Sequence, residues 1–257
     1  MTKKDLMVIG TFEKEPNMDY TAGLRDMSLP VGLATHLSNY YNVTYFDTSQ
    51  LDYKECGISK LIGNSRGTAL IVQNDINFRI DVTGLKIIYL HIDGIPSINA
   101  NYIDLAFYIF NAPHRHDYKV CEHQKTILPF AFIDYFNPDR EKDILMSNIP
   151  RDVPFEEYKD TMERSQFTLV ESDSYISKRA MEALACKTIP IIITTTPALY
   201  YRYGFEADFC SFSVSPDMDK THYNIEKGYL WLKNNHTAFH RVKAMIPHIN
   251  KIMNANT

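Results

Sequence analysis

The chain has 257 residues, of which 45% are hydrophobic and 23% are charged, and it includes 17 tyrosines and 14 phenylalanines. This composition is typical of a globular protein with one large domain or two small ones, and it excludes a disordered chain. The formal net charge of -4 excludes a general attraction to nucleic acid or to an anionic membrane, and leaves only a local basic groove for such a partner.

The cysteines and the amino-terminal residues indicate a cellular compartment. The four cysteines are widely spaced and form no CxxC pair, which predicts reduced thiols and no zinc site. The opening residues, MTKKDLMVIG, become polar too soon for a signal peptide. No apolar stretch reaches the roughly 18 residues of a membrane span. We therefore expect a cytoplasmic protein with no membrane span.

The first predicted elements form the start of a Rossmann-like unit. A buried strand at residues 6–9 is followed by a turn-rich segment, a helix over residues 29–40 and a second strand at residues 43–46. Pro30 fits the first turn of that helix. A strand, loop, helix and strand in this order are typical of the first half of a doubly wound sheet.

A histidine and an aspartate follow the next strands. Strands are predicted at residues 70–72 and 86–90, and the second leads into His91 and Asp93. In an extended segment these two side chains point to the same side, and parallel sheets bind ligands at the carboxyl ends of their strands. Asp93 is therefore a candidate catalytic base, or a carboxylate that orients His91. The alternative is an ordinary Asp-Gly turn beside a hydrogen-bonded histidine.

A second polar cluster follows a strand predicted at residues 105–110. His114 and Arg115 come shortly after it and are candidates for binding a phosphate or a sugar. The alternative is the solvated start of a basic helix. Neighbouring histidines raise the question of a metal, but no carboxylate pattern completes a ligand set, so no metal site is predicted.

A βαβ unit near the end of the chain carries the main candidate site. A strand at residues 167–170, a polar turn, a helix over residues 177–186 and a strand at residues 191–194 require a parallel sheet. The helix amino terminus should face an anionic ligand. Lys178 and Arg179 are candidates for phosphate contacts, and Glu182 is a candidate for a ribose. The alternative is a surface Lys–Glu pair, which stabilises a helix by at most about 0.5 kcal/mol.

This unit resembles the donor-binding motif of GT-B glycosyltransferases. Residues 179–192 read RAMEALACKTIPII, which is similar to segments of the exostosin-like, spore-maturation and phage DNA glycosyltransferase branches. The resemblance implies that Glu182 holds the ribose of a nucleotide-sugar. Ser174 occupies the position of a second glutamate of the family, and Lys187 stands where many members have glycine. Thr195 lies in a segment that replaces a glycine-containing phosphate loop.

The resemblance also implies an architecture. We expect an α/β protein with two Rossmann-like domains facing a cleft, the carboxy-terminal one abbreviated. Residues 1–130 would form the acceptor-side domain, residues 131–240 the donor-binding domain, and residues 241–257 a helix that crosses back. Because a βα unit of the family is missing, Arg164 joins Lys178 and Arg179 as a candidate for binding the diphosphate.

The expected function is transfer of a sugar, with a UDP-sugar as the first donor to consider, to an acceptor hydroxyl. The nucleotide-sugar is a co-substrate, so no cofactor is expected, and the absence of a convincing DxD motif favours a metal-independent enzyme. A hydroxymethylated pyrimidine in phage DNA is one candidate acceptor, because His91 and Asp93 resemble a segment of a phage DNA glucosyltransferase. The acidic net charge argues against DNA. The alternative is a noncatalytic nucleotide- or sugar-binding module with a degenerate GT-B fold.

Overall fold

The structure, a computed structural model, describes most of the chain in separate segments. These are residues 2–10, 32–47, 67–72, 85–91, 103–109, 122–127, 130–150, 153–172, 176–215 and 218–255. They form two parallel sheets and their flanking helices, so the predicted α/β class is confirmed. The division into two Rossmann-like domains at the expected boundaries stays a prediction.

The first sheet has six strands in the described residues. They are β1 (Asp5–Gly10), β2 (Asn42–Asp47), β3 (Gly67–Val72), β4 (Leu85–His91), β5 (Leu105–Ile109) and β6 (Gln124–Ile127). The spatial order is β2-β1-β3-β4-β5-β6, and every pair is parallel. The sequence analysis did not predict β6. Because the order reverses between β1 and β3, the crevice that binds ligands in such sheets lies at the carboxyl ends of these two strands.

One face of the first sheet is covered by a helix from each end of the chain. Helix α1 (residues 32–37) contributes Leu33 and Leu37 to the core. The last helix, whose bounds are Ala238–Asn254, contributes Val242, Met245 and Ile249 to the same core. The end of the chain therefore packs against its beginning.

The second sheet follows in the chain and is smaller. Its described strands are β7 (Ile144–Ser147), β8 (Ser165–Glu171) and β9 (Ile189–Ile193), in that spatial order and all parallel. Helix α2 (Phe155–Arg164) joins β7 to β8, and α3 (Lys178–Ala185) joins β8 to β9. The predicted βαβ unit is confirmed, and β7 with α2 adds a second such unit before it.

The other α-helices among the described residues are α4 (Pro197–Arg202), α5 (Ile225–Asn235) and α6 (Ala238–Asn254). No helix in the described part of the chain is both long and apolar enough to cross a bilayer.

The residue pattern at 210–214 predicts a last short strand, and this prediction is wrong. The structure has a single bridge there, between Ser211 and Ile191. The chain bends there because the Ser211 hydroxyl donates to its neighbour Ser213 O at 2.7 Å. The polar segment at 139–151, in which the sequence pattern predicts no strand, contains β7, whose four residues are framed by charged and polar neighbours.

The chain passes between the sheets twice, and the two passages lie side by side. Ala131 and Thr237 form a parallel bridge, and the Ala131 amide donates to His236 O at 3.1 Å. Next to this bridge, an ideal Cβ on Gly32 would lie 2.1 Å from Cε1 of Phe132. The start of α1 can therefore approach the Phe132 ring so closely only because residue 32 has no side chain.

Candidate functional site

The candidate site lies at the carboxyl edge of the second sheet, where α3 begins. Strand β8 ends at Glu171 and α3 starts at Lys178. The amide of Ser177, which precedes α3, donates to the hydroxyl of the fully buried Tyr200 at 3.0 Å. This bond fixes the start of the helix. The partial positive charge at a helix amino terminus attracts anions to this edge.

Glu182 lies on the buried side of α3 and is 3% exposed. Its Oε2 accepts a hydrogen bond of 2.6 Å from the Tyr158 hydroxyl, and its Oε1 lies 3.5 Å from Lys178 Nζ. A buried carboxylate needs such partners because an unpaired one loses its hydration without compensation. The Lys178–Glu182 pair that was considered as the alternative is therefore present, but its carboxylate is buried and also bonded to Tyr158.

The two cations at the start of α3 differ in their freedom. The Lys178 side chain is 32% exposed, and its Nζ lies 5.9 Å from the centre of the Phe132 ring. Arg179 instead donates to Ile149 O at 2.6 Å and places its guanidinium 5.4 Å from the centre of the Tyr158 ring. Lys178 can therefore turn towards a ligand more readily than Arg179, which is tied to the segment after β7.

Thr195 lies at the same edge, between β9 and α4, and is exposed. The turn around it is held by Thr194, whose hydroxyl accepts from the Thr196 amide at 3.1 Å. This leaves the Thr195 hydroxyl on the surface at the carboxyl end of β9.

Arg164, which was expected among the phosphate ligands, is at the opposite edge. It immediately precedes β8, so the length of this strand, roughly 20 Å for seven residues, separates it from the carboxyl edge. Asp143 binds its Nε at 2.9 Å, and Asp160 binds its Nη1 at 3.2 Å. Arg164 is thus part of a surface ion-pair network, and its expected role at the diphosphate is wrong.

The other predicted site residues cannot be placed in the same way. His91 is the last residue of β4, at the carboxyl edge of the first sheet, but its side chain lies outside the described residues. Asp93, His114, Arg115 and Ser174 also lie outside them. Their roles stay predictions.

Tyr158 is the main site residue that the sequence analysis missed. It lies on α2, where the sequence pattern predicts a helix over the same residues, 155–164, and it shares the buried face of that helix with Met162. A tyrosine on a buried helix face needs a partner for its hydroxyl, and this need is the one signal in the sequence. The partner lies 24 positions away on another helix, so the pattern of residues does not identify it.

Comparison with known proteins adds the following. No protein-family model matches the sequence, and no curated protein matches it. Among solved structures, the chain is similar to an alpha1,3-fucosyltransferase at 12% identity and a TM-score of 0.45. It is similar to an alpha1,3-fucosyltransferase with GDP at 12% identity and a TM-score of 0.41. Each match covers 99% of this chain and 92% of the other. Because both TM-scores are below 0.5, neither likeness establishes a shared fold.

Proposed function

We propose that this protein is a glycosyltransferase that uses a nucleotide-sugar donor, held at the start of α3. The observation that carries the proposal is the position of Glu182. It is a buried carboxylate on the helix that follows a parallel strand, with a cation one turn before it. It is also the glutamate of the motif by which the sequence resembles GT-B glycosyltransferases.

In the proposed site, one group binds the ribose of the donor and another binds its diphosphate. A carboxylate accepts hydrogen bonds from the two hydroxyls of a ribose, which suits Glu182. Negative charge develops on the diphosphate as it leaves the sugar, and the α3 amino terminus with Lys178 would stabilise this charge. Lys178 also has the conformational freedom for this role, because its side chain is one-third exposed.

We also propose a nucleotide, a catalytic base and an acceptor. UDP is the first nucleotide to test. Asp93 is the proposed base for the acceptor hydroxyl, with His91 as its partner, and β4 leads to this pair at the carboxyl edge of the first sheet. A hydroxymethylated pyrimidine in DNA is the proposed first acceptor.

A noncatalytic nucleotide-binding module is the second candidate. It is favoured by the small size of the second sheet, which has three strands in the described residues. It is also favoured by Arg179, which donates to a backbone carbonyl of the protein. In this case the site would bind a nucleotide-sugar without turning it over.

The decisive experiment measures hydrolysis and binding of UDP-, GDP-, ADP- and CMP-sugars by the wild-type chain, Glu182→Gln and Glu163→Gln. Glu163 is a matched control because it is also buried, at 1% exposure, but accepts from the Asn137 amide at 2.7 Å and does not contact the start of α3 in the described residues. We expect Glu182→Gln to weaken donor binding at least tenfold and Glu163→Gln to leave it unchanged.

Three outcomes separate the candidates. Turnover that depends on Glu182 supports the transferase, whereas binding without turnover, whatever acceptor is offered, supports the module. No binding of any nucleotide-sugar would overturn both. For the acceptor, incubation with hydroxymethylated DNA and the preferred donor should raise the mass of the DNA by one sugar, and an unchanged mass would remove DNA from consideration.

A further inference from the structure

We propose that Tyr158 is a positioning residue that orients Glu182 for the ribose of a bound nucleotide. The inference rests on the proposed function, since it concerns the same site. It assigns a role to a buried side chain on α2. Tyr158 acts through Glu182 and is not itself proposed to touch the ligand.

The hydroxyl of Tyr158 is held firmly in place. The residue is 3% exposed, and its amide donates to Pro154 O at 2.8 Å in the first turn of α2. Its ring stacks on the Phe155 ring, with 6.4 Å between the ring centres. The Arg179 guanidinium lies over the ring, with its Cζ 5.4 Å from the ring centre. Because Arg179 is in turn bonded to Ile149 O, the ring is confined by groups that are themselves fixed.

This confinement makes the two oxygens of Glu182 unequal. Oε2 is bonded at 2.6 Å to a buried hydroxyl that cannot move away. Oε1 faces Lys178 at 3.5 Å, and the Lys178 side chain is partly exposed and free to turn. Oε1 is therefore the oxygen that becomes available to a ligand at the start of α3, while Oε2 stays with the protein.

The hydroxyl also determines the plane of the carboxylate. The terminal torsion of a glutamate is broad, so without a fixed partner its oxygens sample many orientations. A ribose presents two adjacent hydroxyls, and simultaneous bonds to both require one orientation of the acceptor. Removal of the Tyr158 hydroxyl should therefore reduce the affinity for a ribonucleotide and the ability to recognise its 2′-hydroxyl.

The test is a double-mutant cycle on the full chain, with UDP and GDP as probes and calorimetry as the measurement. Tyr158→Phe keeps the ring and its packing and removes one hydroxyl. We expect it to weaken binding of the preferred nucleotide about tenfold in the wild-type background and to have no further effect in Glu182→Gln. The preference for that nucleotide over its 2′-deoxy form should fall in Tyr158→Phe by a similar factor.

A matched control distinguishes this role from a general loss of stability. Tyr41 is also 3% exposed, and its hydroxyl donates at 3.1 Å to Asn250 Oδ1 on α6. Tyr41→Phe should lower the melting temperature. It should leave the affinities for UDP and GDP and the preference for the 2′-hydroxyl unchanged.

The outcomes separate this inference from the proposed function. If Tyr158→Phe has the wild-type affinity and 2′-hydroxyl preference while Glu182→Gln is impaired, the positioning role is wrong and the donor site stands. Additive effects of the two substitutions would also overturn the positioning role, because they would show that Tyr158 acts independently of Glu182. If the wild-type chain binds none of the nucleotides of the four donors tested, UDP, GDP, ADP and CMP, the donor site itself is wrong.

Discussion

Lys178 Nζ lies 3.5 Å from Glu182 Oε1, one helical turn along α3. This cation therefore occupies the oxygen that we assign to the ribose. A nucleotide would have to draw Lys178 away before Glu182 can accept ribose hydroxyls. A diphosphate can do so by offering the cation a new partner, whereas a nucleoside without phosphates cannot.

This competition predicts opposite effects of Lys178→Met on two ligands. UDP binding should weaken about tenfold, because the cation for the diphosphate is lost. Uridine binding should strengthen a few-fold, because Oε1 is no longer occupied. Calorimetric titration of both ligands checks the prediction. Equal weakening of both would contradict it. Lys227→Met, which removes a cation paired with Asp208 at 2.9 Å on α5, serves as a control and should change neither affinity.

The turn after α3 places Lys187 in an unusual backbone conformation. Lys187 has a φ of 54°, in the left-handed region. Its amide donates to Leu184 O at 3.1 Å, and the next amide, of Thr188, donates to Ala183 O at 2.8 Å. This pair of bonds is the Schellman motif, in which glycine is usual. In this chain the position holds Lys187, whose Nζ pairs with Glu226 Oε2 at 2.9 Å.

A comparison of Lys187→Gly with Lys187→Ala separates these effects. Both substitutions remove the ion pairs, but only glycine removes the strain of a side chain at positive φ. Lys187→Gly should therefore be more stable than Lys187→Ala by about 1 kcal/mol. Urea denaturation of the two variants measures the difference. Equal free energies of unfolding would show that the positive φ carries no strain.

The secondary structure near the site was predicted well because local signals agree there. The bounds of α2 follow from the Pro154 that precedes it and from the spacing of Tyr158 and Met162. Strand β7 was missed because a strand of four residues between polar segments gives almost no periodic signal. A short apolar run in such surroundings is recognised only when its partner, β8, is seen beside it.

The partners of Glu182 were predictable only where they are close in sequence. Lys178 is four positions away on the same helix, so its proximity follows from helix geometry. The contact of Tyr158 depends on how α2 and α3 pack together on the sheet, which the sequence pattern does not contain. The misplaced Arg164 has the same cause, because a basic residue next to a strand can lie at either edge.

The contact between Gly32 and Phe132 predicts a strong effect of a single methyl group. An ideal Cβ at position 32 would lie 2.1 Å from the Phe132 ring, so Gly32→Ala must displace the ring or the start of α1. Overpacking of this kind costs about 1–3 kcal/mol. Thermal denaturation of Gly32→Ala, Phe132→Leu and the double variant checks it. The double variant should lose less stability than the two single variants lose in total. If the losses of the single variants simply add, the two residues are not in contact.

Lys142 links the ends of the two helices that carry the site. Its ammonium group donates to Glu163 O, in the last turn of α2, at 2.5 Å. It also donates to Cys186 O, at the end of α3, at 2.6 Å. It also donates to the hydroxyl of Thr188 at 3.0 Å. Burial disfavours the charged form and lowers the pKa of Lys142 to about 8.

This lowered pKa predicts how stability changes at alkaline pH. Between pH 8 and the ordinary lysine pKa of 10.5, the unfolded chain binds a proton that the folded chain has already released. Unfolding in this range takes up a proton, so the contribution of Lys142 to stability rises with pH. Lys142→Met has no ammonium group to titrate. At pH 7 it should be less stable than the wild type by about 1–3 kcal/mol, because the buried acceptors lose their donor. Urea denaturation from pH 7 to 10.5 should show the gap between wild type and variant widening above pH 8. A constant or narrowing gap would mean that the folded chain keeps its proton, and that the three acceptors around the ammonium outweigh its loss of hydration.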